Sequence, residues 1–156
     1  MAEPATKFAT EAVAEIVEGL TQALSETAVT TAKAQNFHWN VTGMAFGPLH
    51  DMFQKVYEDH FQAQDEIGER IRALGAHAEA RPSEWLKRSA VRESDGRLKD
   101  VEMIDELASD QETLSATLRA LAAVAEKHGD VVTNDQAIGR AFVHDKFAWL
   151  LRSHLA

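Results

Sequence analysis

Along most of this chain, apolar residues recur at three- and four-residue intervals, the period of helices that bury one face. The clearest run follows Gly47–Pro48: Leu49, Phe53, Val56, Ala63, Ile67, Ile71 and Leu74, closed by Gly75 where a helix-terminating glycine would stand. Before it, Val13, Ile16, Val17, Leu20, Leu24 and Ala28, continued by Val29 and Ala32, predict a helix over about residues 7–35, with a loop at 40–47. A third helix is expected over about 100–127, with Met103, Ile104, Leu107, Leu114, Leu118, Leu121 and Val124 inside, Asp100 at its start and Gly129 as its stop. A fourth is expected over about 134–154, with Ile138, Phe142, Trp149 and Leu150 as its apolar stripe. Between the second and third, residues 75–99 hold Gly75, Pro82 and Gly96 and have room for one short helix at 83–90, capped by Ser83. No strand alternation, internal repeat or low-complexity segment is visible. The prediction is an all-α single domain, 1–156: a four-helix bundle with a short helix in one long central crossover.

Composition narrows the function. The 156 residues suffice for one domain with a core of its own. With no cysteine, disulfides, thiolate metal sites and thiol catalysis are excluded. No apolar run approaches the roughly 20 residues a membrane span needs, and the N-terminus lacks the basic and apolar regions of a signal peptide, so a cytoplasmic location is expected. The net charge of −9 argues against a nucleic-acid face. A field of that sign favours cations instead.

The candidate chemistry lies at His38, His50, Asp65 and Glu69. Imidazole and carboxylate together suit iron among the first-row metals. Taken singly, each has a bland alternative as a helix-end histidine or part of a solvated acidic face. Their spacing carries more. His50 and Asp65 sit on one helix about 22 Å apart, at about 1.5 Å per residue, so one ion cannot touch both. Asp65 and Glu69 are an i,i+4 pair on one face, while His38 can fold back towards His50 across the loop holding Gly43 and Gly47. These are two half-sites at opposite ends of a helix. A two-fold axis near Tyr57, with the helix antiparallel to its copy, would complete two identical sites per dimer.

The segments NFHWNVTG, LHDMF and DEIGERIRALG, with DKFAWLLRSHL near the C-terminus, closely resemble the Dps family (DNA-binding proteins from starved cells), the mini-ferritins. The resemblance covers nearly the whole chain. It implies a ferritin-like bundle and a hollow shell of twelve subunits that oxidises Fe(II), often with hydrogen peroxide, and stores the ferric mineral. In that family the residues matching His38, His50, Asp65 and Glu69 bind iron across the dimer interface. By the same resemblance, Trp39 is a candidate electron donor, with interface packing as its plainer role. Asp130 and Asp135 are candidate pore residues, with a solvated turn and a helix N-terminal acid as theirs.

This chain departs from the family's pattern at Gln54. There the family commonly carries an acid four residues after the second histidine. An amide oxygen is a weaker ligand, and Asp51 lies about 100° around the helix from His50, at ~3.6 residues per turn. DNA binding through a lysine-rich tail, known in some members, is not expected: the first fifteen residues hold Lys7 against Glu3, Glu11 and Glu15, and the chain ends at LRSHLA. Two alternatives to iron oxidation stand: a metal-buffering shell impaired in oxidation, and a DNA-protecting protein.

Other metal arrangements are poorly supported. Di-iron sites inside such bundles use Glu-x-x-His, but Gln35, Gly47, Tyr57, Leu74, Ala125, Ala141 and Leu151 precede the seven histidines at that spacing. His60, on the apolar stripe between Val56 and Ala63, is expected to be a core histidine with a hydrogen-bond partner. His77, His128, His144 and His154 are expected at loop or surface positions.

Overall fold

The computed structural model describes residue 4 and residues 7–156; Glu3 of the acidic N-terminus lies outside them. Five helices follow in order: α1 (Thr10–Asn40), α2 (Phe46–Ala73), α3 (Pro82–Arg88), α4 (Asp100–Lys127) and α5 (Val131–Arg152). No strand occurs among the described residues. The four long helices form the bundle, joined in pairs by tight turns at 41–45 and 128–130. The crossover 74–99 carries α3 against α1.

The helix ends follow local chemistry. At the end of α2, Gly75 adopts φ 85°, the Gly75 amide donates to the Arg72 carbonyl and Ala76 to Ile71, a Schellman stop. Gly129 (φ 71°) closes α4 in the same way, with its own amide on Glu126 and that of Asp130 on Ala125. Several expected boundaries shift by a few residues, three of them for a visible local reason. α1 runs to Asn40 because Phe37 and Val41 are buried against the bundle and hold its last turn. The short helix begins with Pro82 in its first turn, where a missing N–H costs nothing; Ser83 does not cap it. α5 starts at Val131 because Asp130 accepts a hydrogen bond from the Thr133 amide and caps it.

Two apolar clusters fill the halves of the bundle. One gathers Ile16, Leu20, Leu24, Ile67, Ile71, Leu118 and Leu121. The other gathers Phe37, Leu49, Phe53, Val56, Met103, Leu107 and Leu151. Between them, in sequence position on every long helix, lies a polar layer of Thr27, Thr30, His60, Gln111 and His144, all buried.

The expected stripe of α5 is the wrong face. Ile138, Phe142 and Trp149 are exposed, Trp149 at 63%, and Leu150 is only half-buried. The buried face is Ala137, Ala141, His144, Ala148 and Leu151. Small side chains let α5 pack closely on α4, and its large apolar residues point away from the subunit. On α1, Ala32 is likewise exposed.

Candidate metal centre

His38 sits in the last turns of α1 and His50 near the start of α2. Buried Val41 and Leu49 anchor the chain on either side of the turn between them. Within that turn Gly43 takes φ 108° and accepts the Phe46 amide at 3.1 Å. The two imidazoles thereby stack, with centroids 3.7 Å apart and planes 21° off parallel. His38 Nδ1 lies 2.8 Å from the His50 carbonyl, and His50 Nδ1 lies 2.8 Å from the His38 carbonyl. A carbonyl can only accept, so both Nδ1 atoms carry the proton. Both Nε2 atoms are then left with a lone pair, the form in which a neutral imidazole binds a metal.

Around the pair, Tyr57 sets its ring edge against His38 (centroids 5.3 Å, planes 78°), and Phe46 lies against His50 at 5.1 Å. Gln54, one turn beyond His50, donates its amide to Glu58 Oε1 at 2.7 Å, which leaves its own oxygen uncommitted by that bond. Trp39 is 68% exposed.

Asp65 and Glu69 are exposed on α2, at the other end of the same face, where they line an open groove with Phe61, Gly68, Arg72 and Trp85. Phe61, between the two half-sites, is 71% exposed. Among the described residues no three His, Asp or Glu side chains of one chain converge into a metal site. The subunit thus brings the histidines together and the carboxylates together, but keeps the pairs apart.

The two acids assigned to a pore differ sharply. Asp135 is exposed. Asp130 is 1% exposed, with both carboxylate oxygens on the Arg70 guanidinium at 2.8 and 2.9 Å and further bonds from Thr133. Burial opposes its ionisation, yet Thr133 and Arg70 hold its carboxyl below the usual range. Within the subunit it is a buried helix cap and ion pair, not an exposed acid. The signal was present in Asp-x-x-Thr ahead of a helix.

His60 is a fully buried core histidine, as its stripe position predicts. Its Nδ1 lies 3.0 Å from Asp59 Oδ2, and its Nε2 3.1 Å from Gln111 Oε1. His144, expected at the surface, is fully buried too, on the same layer. Its Nδ1–H donates to Gln111 Oε1 at 2.7 Å, and Arg140 Nη2 donates to its Nε2 at 3.3 Å. Burial, with the charges of His60 and Arg140 beside it, pushes this imidazole well below its ordinary value. The alanine spacing of α5 contained this position; the larger apolar residues on the opposite face concealed it. A further buried pair, Lys33 and Asp110 at 2.8 Å, gave no sequence signal. Burial pushes the Asp110 carboxyl up to about 6, against the pull of Lys33.

The ferritin family profile, described as a Ferritin-like domain, matches residues 17–156. The DNA protection during starvation protein of Porphyromonas gingivalis is 34% identical over 142 residues, covering 91% of this chain and 89% of that protein. The chain belongs to the Dps family of ferritin-like proteins. Among solved structures, Dps from Staphylococcus aureus matches with a TM-score of 0.89 at 31% identity, covering 96% of this chain and 99% of its own. The Dps protein of Vibrio cholerae O1, described as a member of a broad superfamily of ferritin-like diiron-carboxylate proteins, matches with a TM-score of 0.92 over 100% of both chains. At 24% identity that second likeness concerns the fold alone. For this Dps-family chain the five-helix order is therefore the fold of its relatives. No helix among the described residues is long and apolar enough to cross a membrane.

Proposed function

We propose that this protein is a ferroxidase and iron store. Fe(II) binds between two subunits, at His38 and His50 of one and Asp65 and Glu69 of the other, and is oxidised by hydrogen peroxide. The ferric product is stored as mineral inside a shell of identical subunits, twelve by likeness to the family. The observation that carries this reading is the His38–His50 clasp with both Nε2 atoms free, at one end of an α2 face whose other end presents Asp65 and Glu69.

An antiparallel, two-fold pairing of that face superposes each histidine pair on the partner's carboxylates. The same pairing covers Phe61, otherwise an exposed aromatic. Two imidazoles and two carboxylates hold Fe(II) and leave positions open for the oxidant. Asp135 is an exposed acid suited to lining an uptake route. Removing Fe(II) and peroxide together suppresses hydroxyl-radical formation, which protects DNA without contact. That is how this reading meets the relatives' name. A second reading, metal buffering without rapid oxidation, is favoured by one observation: the neutral amide at Gln54.

Stopped-flow absorbance of Fe(II) with peroxide, on protein sized by light scattering, tests the proposal. The wild type oxidises iron rapidly, and the His50→Ala, Asp65→Asn double variant stays assembled and loses that phase. Equal rates in the two proteins would overturn the assignment. A wild-type shell that binds Fe(II) without accelerating its oxidation would favour buffering.

A further inference from the structure

Peroxide takes up two electrons on its way to water, and one Fe(II) supplies only one. A site with two carboxylate-bound ions has both electrons at hand. Here the residue one turn beyond His50 is Gln54, whose neutral amide donates to Glu58 at 2.7 Å, where a second ion would need charge. One iron per site leaves one electron to be found, or a hydroxyl radical to escape.

We propose that Tyr57 supplies this second electron and is restored by the next Fe(II), so that a one-iron site completes the two-electron reduction of peroxide. The inference rests on the reading of the site given above. Two other aromatic rings pack on the histidine clasp: Phe46 on His50 and Tyr57 on His38. Phenylalanine is not readily oxidised, whereas a phenol gives up an electron and a proton together. Tyr57 stands two helical turns beyond His50, on the same side of α2. Its edge meets the His38 ring with centroids 5.3 Å apart, so only one imidazole separates the phenol ring from a metal on His38 Nε2. It is half-buried even in the single subunit, which shields a radical from solvent. Tyr57 also lies midway along α2 between His50 and Asp65, beside the two-fold axis of the proposed pairing.

The step balances. One Fe(II), one peroxide, one tyrosine and one proton give one Fe(III), two waters and one neutral tyrosyl radical. The O–O bond breaks, and both its oxygens leave as water. The tyrosine loses one electron and its phenolic proton. A second Fe(II) and a proton then return the radical to tyrosine and yield a second Fe(III). The sum is two Fe(II) oxidised per peroxide, with one ion bound at a time.

Tyr57 is the only tyrosine in the chain, which makes the test clean. The assembled full-length protein, loaded anaerobically with one Fe(II) per site, is mixed with one equivalent of peroxide and freeze-quenched for electron paramagnetic resonance. Iron oxidation is followed in parallel by absorbance. The expected result is an organic radical whose hyperfine structure narrows when the protein carries ring-deuterated tyrosine. In Tyr57→Phe that signal is lost, and the yield of spin-trapped hydroxyl radical rises several-fold. Iron oxidised with no radical, or with a radical indifferent to the deuterium label, would overturn the role of Tyr57 while leaving the ferroxidase site standing. An unchanged spin-trap yield in Tyr57→Phe would do the same. No iron oxidation in the wild type would overturn the site itself.

Discussion

His38 and His50, twelve residues apart and on different helices, each donate Nδ1–H to the other's backbone carbonyl at 2.8 Å. Each ring therefore fixes the tautomer of one histidine and the backbone of the other. An alanine at either position keeps its carbonyl, so the remaining ring keeps its acceptor and its tautomer but loses the ring stacked on it. His38→Ala and His50→Ala should each weaken Co(II) or Zn(II) binding by at least the roughly 10–100-fold seen when a ligand's supporting partner is lost, and the double variant should lose less than the sum of the two because the rings stack on one another. Titration followed by the Co(II) visible bands measures this; fully additive losses would mean the two rings act independently.

If the halves of each site come from different subunits, two defective chains should repair one another. Co-refolded His50→Ala and Asp65→Asn subunits form mixed pairs that hold one intact and one doubly defective site. Random mixing should restore about a quarter of the wild-type sites. Fast-phase amplitude in stopped-flow reads that fraction. No recovery in a mixture verified to have exchanged subunits would overturn the shared site.

Gln54→Glu should raise the stoichiometry from one to two ions per site in anaerobic Fe(II) or Zn(II) calorimetry. It also sets a like charge one turn from Glu58, in place of the present amide-to-carboxylate bond. Without metal the variant should lose roughly 0.2–0.5 kcal/mol of stability or somewhat more, recovered when metal is added. Denaturation with and without Zn(II) checks it.

Asp130 and Asp135 should separate cleanly. Arg70→Met strands a carboxylate that is 1% exposed, and should cost about 3–5 kcal/mol. Asp135→Asn should leave stability within about 0.5 kcal/mol and slow iron uptake at low salt. Denaturant midpoints and uptake rates distinguish the two; slower uptake with unchanged stability in an Asp130→Asn variant would restore that residue to the pore.

His144 gives the fold a pH dependence. Its folded-state value lies well below its ordinary 6.5 because burial, His60 and Arg140 disfavour the charge. Below pH 6.5 the unfolded chain takes up a proton that the folded chain refuses, so stability falls with pH until the folded value is reached. The contribution is up to about 1.4 kcal/mol per pH unit. Asp110, pushed up to about 6 by burial, acts with the opposite sign between that value and 3.8. His144→Gln should therefore flatten the acid limb by that slope, measured as urea unfolding between pH 7.5 and 5. An unchanged slope would mean the imidazole is protonated in the folded state.

The sequence by itself determined the helices, their order and the separation of the ligands. Helical periodicity is a local property, Gly75 and Gly129 punctuate it, and 1.5 Å per residue fixes how far Asp65 stands from His50. The inward faces of α1, α2 and α4 were legible too, but only tertiary structure decided which face of α5 is inside. On α5 the largest apolar residues, Phe142 and Trp149, point outward, while alanines and His144 pack against α4. Hydrophobicity ranks side chains, but close helix packing selects small ones. Tertiary structure also set the ends of α1 and α5, paired Asp130 with Arg70, and turned two loop-flanking histidines into a clasp. Those outcomes depend on what lies across the bundle, which no local pattern encodes.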